Sequence, residues 1–147
     1  MYQRILVATD GSELSKKAVD DAIDLAASLG AELIALKVVP RYPQSYFEGS
    51  IPLSSNDIAR VEKQWTDDGN QVVEDVKRAG AEKGVTVKPV IVRSDIVSDA
   101  LIASAKKHNA DLIVMASHGR KGVKRLLLGS ETQQVLTHSE IPVLVLR

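Results

Sequence analysis

Short apolar runs alternating with amphipathic stretches predict a single-domain α/β fold on a mainly parallel sheet. Two further observations support this. Runs such as ILVA, LIVMA and VLVL are continuously apolar, as strands covered on both faces are, whereas a half-exposed sheet would alternate polar and apolar residues. At 147 residues, 44% hydrophobic and 26% charged, the chain can build one compact core and is too short for two ordinary domains.

The elements follow in order. Arg4 to Ala8 is the first strand. Leu14, Ala18, Ala22 with Ile23, and Leu25 with Ala26 then recur at helical spacing until Gly30 ends the helix. Glu32 to Val39 is the second strand. Ile58 to Lys83 reads as a helix, Val85 to Val92 as the third strand, Ile96 to His108 as a helix and Asp111 to Ala116 as the fourth strand. Ser130 opens the last helix, and Ile141 to Leu146 is the final strand. Right-handed crossovers between such units make the sheet parallel. Pro89 removes a ladder donor and so places the third strand at an edge. The stretch from Pro40 to Asn56 is a long loop with three of the five aromatic residues, either a lid or contact surface or a plain connection.

Composition excludes several functions. Lys plus Arg equals Asp plus Glu at 19 each, so no global field draws the chain to nucleic acid or to an anionic membrane, and the few aromatics offer little stacking surface. Cysteine is absent, which rules out disulfides and thiolate chemistry and suits a reducing compartment, so the cytoplasm is the expected location. No apolar run is long enough to span a membrane, and the start MYQRILVATD lacks the sections of a signal peptide.

The most informative stretch is VMASHGRKGVKRLLLGSETQQVL, Val114 to Leu136. Gly119, Gly122 and Gly129 fall in a loop between a buried strand and a helix, at the sheet edge where α/β folds bind ligands. Glycines there let successive N–H groups face an anion. Ser130 reads as the helix N-cap, with Gln133 at capping-box spacing. Arg120, Lys121, Lys124 and Arg125 add positive charge, and no acidic residue lies between Val114 and Ser130. The loop therefore has the composition of an anion cradle, although it matches neither G-x-x-x-x-G-K-[ST] nor G-x-G-x-x-G. A corner with a solvated basic surface has the same composition.

Three segments, RILVATDGSELSKKAVDDAIDLA, ADLIVMASHGRKGVKRLLLGS and SEIPVLVLR, resemble the universal stress protein family across essentially the whole chain. Its nucleotide-binding branch carries G-x2-G-x9-G-[ST]. Here Ala116, Ser117, His118 and Gly119 are followed by nine residues and then Gly129 and Ser130, so the spacing agrees and Ala116 replaces the first glycine. The resemblance implies one universal stress protein domain over 1–147. It also implies a Rossmann-like, adenine nucleotide alpha hydrolase-like parallel sheet of five strands in order 3-2-1-4-5, with ATP at the switch point between strands 1 and 4.

By motif position, Ala8, Thr9, Asp10 and Val38 would frame adenine and ribose. Ala116, Ser117, His118, Gly119, Arg120, Lys121 and Gly122 would line ribose and phosphates, and Gly129 leads into Ser130, Glu131 and Thr132, which would offer N–H groups and hydroxyls to the terminal phosphates. Asp10 also has a local reading, since D-G-S is a turn followed by a helix cap. Mg²⁺ or Mn²⁺ would ride on the phosphates. The resemblance further implies a homodimer through the strand Ile141 to Leu146, held by Val143 and Val145 or their neighbours, and a regulated protein partner that the sequence does not name.

Ser117, His118 and Asp10 invite a catalytic triad, but side chains adjacent on a strand tend to diverge and no G-x-S-x-G elbow is present. Equipment for phosphoryl transfer is sparse, which leaves at most slow ATP hydrolysis. His108 and His138 end helices, where a cation suits the dipole. The expected function is that of an ATP-binding stress-response regulator. The alternatives are a nucleotide-independent dimeric adaptor and, with only the fold behind it, a flavin or redox carrier.

Overall fold

The computed structural model describes residues 1–42, 54–118 and 128–147. The elements run β1 (Arg4–Ala8), α1 (Glu13–Leu29), β2 (Glu32–Val39), α2 (Ser55–Glu82), β3 (Val87–Arg93), α3 (Val97–Lys107), β4 (Leu112–Ala116), α4 (Ser130–His138) and β5 (Val143–Leu146). Their strands form one parallel sheet in the order β3-β2-β1-β4-β5. The last three strands start one or two residues later than the apolar runs suggest.

Alternation along each strand sorts the core into two halves. Ile5, Val7, Leu33, Ala35, Leu112 and Val114 face one layer with Ala18, Ala22 and Ile23 of α1 and Val73 and Val76 of α2. Leu6, Ile34, Leu36, Ile113 and Met115 face the other with Ala100, Leu101 and Ala105 of α3 and Val135 of α4. Both faces of the sheet are thus dry, which is what the uninterrupted apolar strands require.

Pro89 sits on the edge strand β3, paired with Ala35. Leu33 N–H donates to the Thr86 carbonyl and Ser94 N–H to the Val39 carbonyl, both at 3.0 Å. In this register the even-numbered residues of β3 donate to β2, so the missing N–H of Pro89 falls on the open side, where it costs no ladder bond.

Caps set the ends of the helices. Ser12 accepts from Ser15 N–H at the start of α1, and Gly30 ends it in the left-handed region at φ 66°. At α2, the Ser54 hydroxyl accepts from Asp57 N–H at 3.2 Å and donates to the Asp57 carboxylate at 2.8 Å. That pair starts the helix at Ser55, three residues before the apolar periodicity begins at Ile58. The loop anticipated over Pro40 to Asn56 therefore ends earlier than expected, and its aromatic residues Tyr46 and Phe47 lie outside the described residues. Asp111 accepts from Gln3 N–H at 2.9 Å and Arg4 N–H at 3.1 Å, fixing where β1 enters the sheet beside β4.

Two glycines let α2 lie close to the sheet. A Cβ on Gly69 would meet Val39 at 3.0 Å and Ile91 at 3.3 Å, and one on Gly80 would overlap a methyl group of Val87. In an exposed helix, Gly→Ala stabilises by about 1 kcal/mol. Here the sign should reverse. Gly80→Ala is expected to destabilise the protein by about 1–3 kcal/mol through overpacking, as read from urea unfolding. A gain in stability would show that α2 can lift away from β3 freely.

Candidate functional site

The strand order reverses at β1. The chain winds from β1 to β2 to β3 on one side, then crosses back to β4 and β5 on the other. The β1–β4 register runs only as far as Val7 and Val114. Beyond it, Ala8 to Asp10 and Ala116 to His118 no longer pair with each other and flank the switch point, the usual ligand position in such sheets.

On the β1 side most side-chain groups serve local structure. Thr9 is buried, its N–H donates to the Leu36 carbonyl at 3.0 Å, and its hydroxyl lies 3.3 Å from that of Ser15. The Asp10 carboxylate accepts from Ser12 N–H at 2.9 Å, so D-G-S does form a turn ahead of a capped helix. Val38 is two residues past Leu36, where the β1–β2 register ends. Since Glu32 N–H and the Leu36 carbonyl both bond toward β1, the main-chain amide of Val38 faces the same side, beyond the last registered pair.

On the β4 side, three bonds hold the start of α4. Gly129 N–H donates to the Ser117 carbonyl at 2.7 Å. The buried Thr132 hydroxyl donates to the Ala116 carbonyl at 3.0 Å. The Glu131 carboxylate accepts from Ser98 N–H of α3 at 3.1 Å. The methyl of Ala116 is buried in the α1-side core. A Cβ on Gly129 would stand 3.2 Å from both the His118 Cα and the Ser117 carbonyl oxygen, so glycine is needed there for close approach.

The cap of α4 differs from the sequence expectation. Gly129 is the N-cap residue, with no side-chain capping bond, and Ser130 is the first helical residue. Gln133 donates to the Leu128 carbonyl at 2.8 Å instead of closing a capping box. The Ser-x-x-Gln spacing misleads because the helix starts one residue earlier than it implies: with Gly129 at the N-cap, Gln133 falls one residue beyond the capping-box position.

Ser117 and His118 also depart from expectation. They do not diverge: the Ser117 hydroxyl lies 3.1 Å from His118 Nδ1. That is the ring nitrogen a triad directs at its carboxylate, not the one it offers to the nucleophile. At the end of α3, burial and then the neighbouring Lys88 and Lys107 charges hold His108 below the usual imidazole pKa. The shift favours the neutral ring over the helix-capping cation expected.

Of the residues singled out from sequence, Ala8, Thr9, Asp10, Val38, Ala116, Ser117, His118, Gly129, Ser130, Glu131 and Thr132 all fall near the carboxyl end of β1, β2 or β4. Gly119, Arg120, Lys121 and Gly122 lie outside the described residues. Sequence reasoning missed Ser98. Its contact spans 33 positions and involves only its backbone, which leaves no trace in residue type.

The model of the universal stress protein family matches residues 1–147. The chain belongs to the universal stress protein family. Universal stress protein YxiE of Bacillus subtilis is 32% identical over 149 residues, covering 100% of both chains. Universal stress protein UspA from Lactobacillus plantarum has a solved structure with a TM-score of 0.86 at 25% identity, covering 99% of this chain and 98% of that one. A universal stress protein solved in complex with cAMP reaches a TM-score of 0.72 at 29% identity, covering 99% and 97%. The parallel sheet in order 3-2-1-4-5, flanked by helices, is thus the universal stress protein fold.

Close packing at Gly129 sets a measurable requirement. The atoms its Cβ would meet are mostly backbone, which cannot rotate away. Gly129→Val should therefore destabilise this universal stress protein by about 1–3 kcal/mol, with Gly129→Ala costing less, in thermal unfolding monitored by circular dichroism. A valine variant that melts with the wild type would mean that Ser117 and Gly129 are not held together in solution.

Proposed function

We propose that the protein is an ATP-binding universal stress protein of the nucleotide-binding branch, a dimeric cytoplasmic regulator. The observation that carries the nucleotide reading is the start of α4. It opens beside the switch point and no side chain caps it among the described residues, so that its first-turn N–H groups and partial positive charge suit a phosphate.

Ala8, Thr9, Asp10 and Val38 would frame adenine and ribose, with the main-chain amide of Val38 suited to the hydrogen-bonding edge of the base. Ala116 to Gly122 would line ribose and phosphates. Ser130 to Thr132 would serve the terminal phosphates through N–H groups, since the Thr132 hydroxyl and the Glu131 carboxylate are already engaged. The buried methyl of Ala116 supports a pocket that tolerates the loss of the motif's first glycine. Mg²⁺ or Mn²⁺ would be carried on the phosphates. The relative solved with cAMP supports adenine nucleotide as the ligand class.

Calorimetric titration of ATP with Mg²⁺ should show saturable one-site binding, and turnover should stay below the roughly 1 to 10³ per second of ordinary enzymes. Absence of binding by ATP, ADP and AMP would overturn the nucleotide reading. Turnover within that range, lost on His118→Ala, would make the protein an enzyme.

A second reading, the nucleotide-independent adaptor, draws on β5. This edge strand ends the sheet with Leu144 exposed, while Val143 and Val145 pack partly against the α4-side core. An apolar edge of this kind is normally paired or covered. Leu144, more than its two neighbours, is therefore the side chain to meet a second copy. Leu144→Lys should shift sedimentation toward the monomer without loss of fold, because a lysine buried in the interface is costly. An unchanged dimer would place the interface elsewhere.

A further inference from the structure

Glu131 stands in the first turn of α4, where an acidic residue ordinarily suits the helix dipole. It is the second residue of α4, close to where the proposed site would receive phosphate, and its own charge is the wrong sign for that ligand. Its carboxylate is turned to α3 instead, accepting from Ser98 N–H at 3.1 Å. Ser98 is the second residue of α3, whose N-cap position is Ile96, a residue with no side chain able to cap. The nearby Ser94 hydroxyl is used locally, on Ile96 N–H and on the Ile96 carbonyl, both at 3.2 Å. The positive end of α3 thus takes its acceptor from the neighbouring helix.

We infer that Glu131 is a positioning residue for the terminal phosphates, acting through its clasp on α3. This rests on the nucleotide reading above. The clasp does two things at once. It fixes the first turn of α4 against α3, adding to the bonds from Gly129 to Ser117 and from Thr132 to Ala116. It also draws the carboxylate's charge toward a helix end that stabilises it, away from the donors of α4.

Two exposed-site substitutions separate the hydrogen bond from the charge. Glu131→Gln keeps an acceptor of the same length and removes the charge. Glu131→Asp keeps the charge and withdraws the acceptor by about 1.5 Å, one carbon–carbon bond. Glu131 is solvent-exposed, so neither change disturbs the core. ATP and AMP are titrated calorimetrically into the wild type and both variants. The expected result is ATP affinity equal to or above wild type for Glu131→Gln and lowered about tenfold for Glu131→Asp, the scale of one hydrogen bond. AMP, which lacks the terminal phosphates, should bind all three proteins alike. The inference is overturned if Glu131→Asp binds ATP as wild type does, if Glu131→Gln falls as far as Glu131→Asp, or if AMP weakens in proportion. A wild-type protein that binds neither nucleotide removes the nucleotide reading itself and this inference with it.

Discussion

The candidate site depends first on one main-chain hydrogen bond, from Gly129 N–H to the Ser117 carbonyl. It brings the chain back to the point where it left β4 and so places the start of α4 beside the switch point. Everything that follows depends on that return. Thr132 can reach the Ala116 carbonyl, and Glu131 can reach Ser98, only because the first turn of α4 is delivered there. The bond is short, at 2.7 Å, and leaves little room for a side chain at Gly129. A single glycine thereby couples the packing of two layers to the geometry of a binding edge.

The fold was legible in the sequence because the signals that specify it are local. Continuous apolar runs mark strands buried on both faces, and Gly30 and Pro89 mark a helix end and a sheet edge for reasons of backbone chemistry alone. The strand order was not read that way; it came from resemblance to a family. Periodicity failed where capping takes over from apolar spacing, as at Ser54, where a polar pair extends α2 beyond its hydrophobic stripe.

At the site, the sequence identified the right segments but not their internal bonding. Ser130 looked like a cap because Ser-x-x-Gln fits the pattern, yet the chain returns to Ser117 at Gly129 and the helix caps there, one residue earlier than the pattern requires. Ser117 and His118 were expected to diverge as strand neighbours, but they lie past the end of β4, where the strand rule no longer governs side-chain direction. Glu131 read as a possible phosphate neighbour. Its role became visible only with α3 in place, since its partner is an amide 33 residues away.

At the carboxyl edge of the sheet, the helix starts expose donors that need acceptors. Each crossover helix starts at that edge and presents N–H groups with no intrahelical partner, and these must be satisfied by side chains, water or ligand. Ser12 answers for α1, Ser54 for α2, and Glu131, from another helix, for α3. Among the described residues no side chain answers for α4. The start of this helix is also tied to the end of β4, through Gly129 and Thr132. A fold that caps three helix starts, borrowing for one of them the acidic residue nearest the fourth, leaves the donors at its switch point with no side-chain acceptor among the described residues. Rigid donors without an acceptor of their own are what a phosphate group recognises.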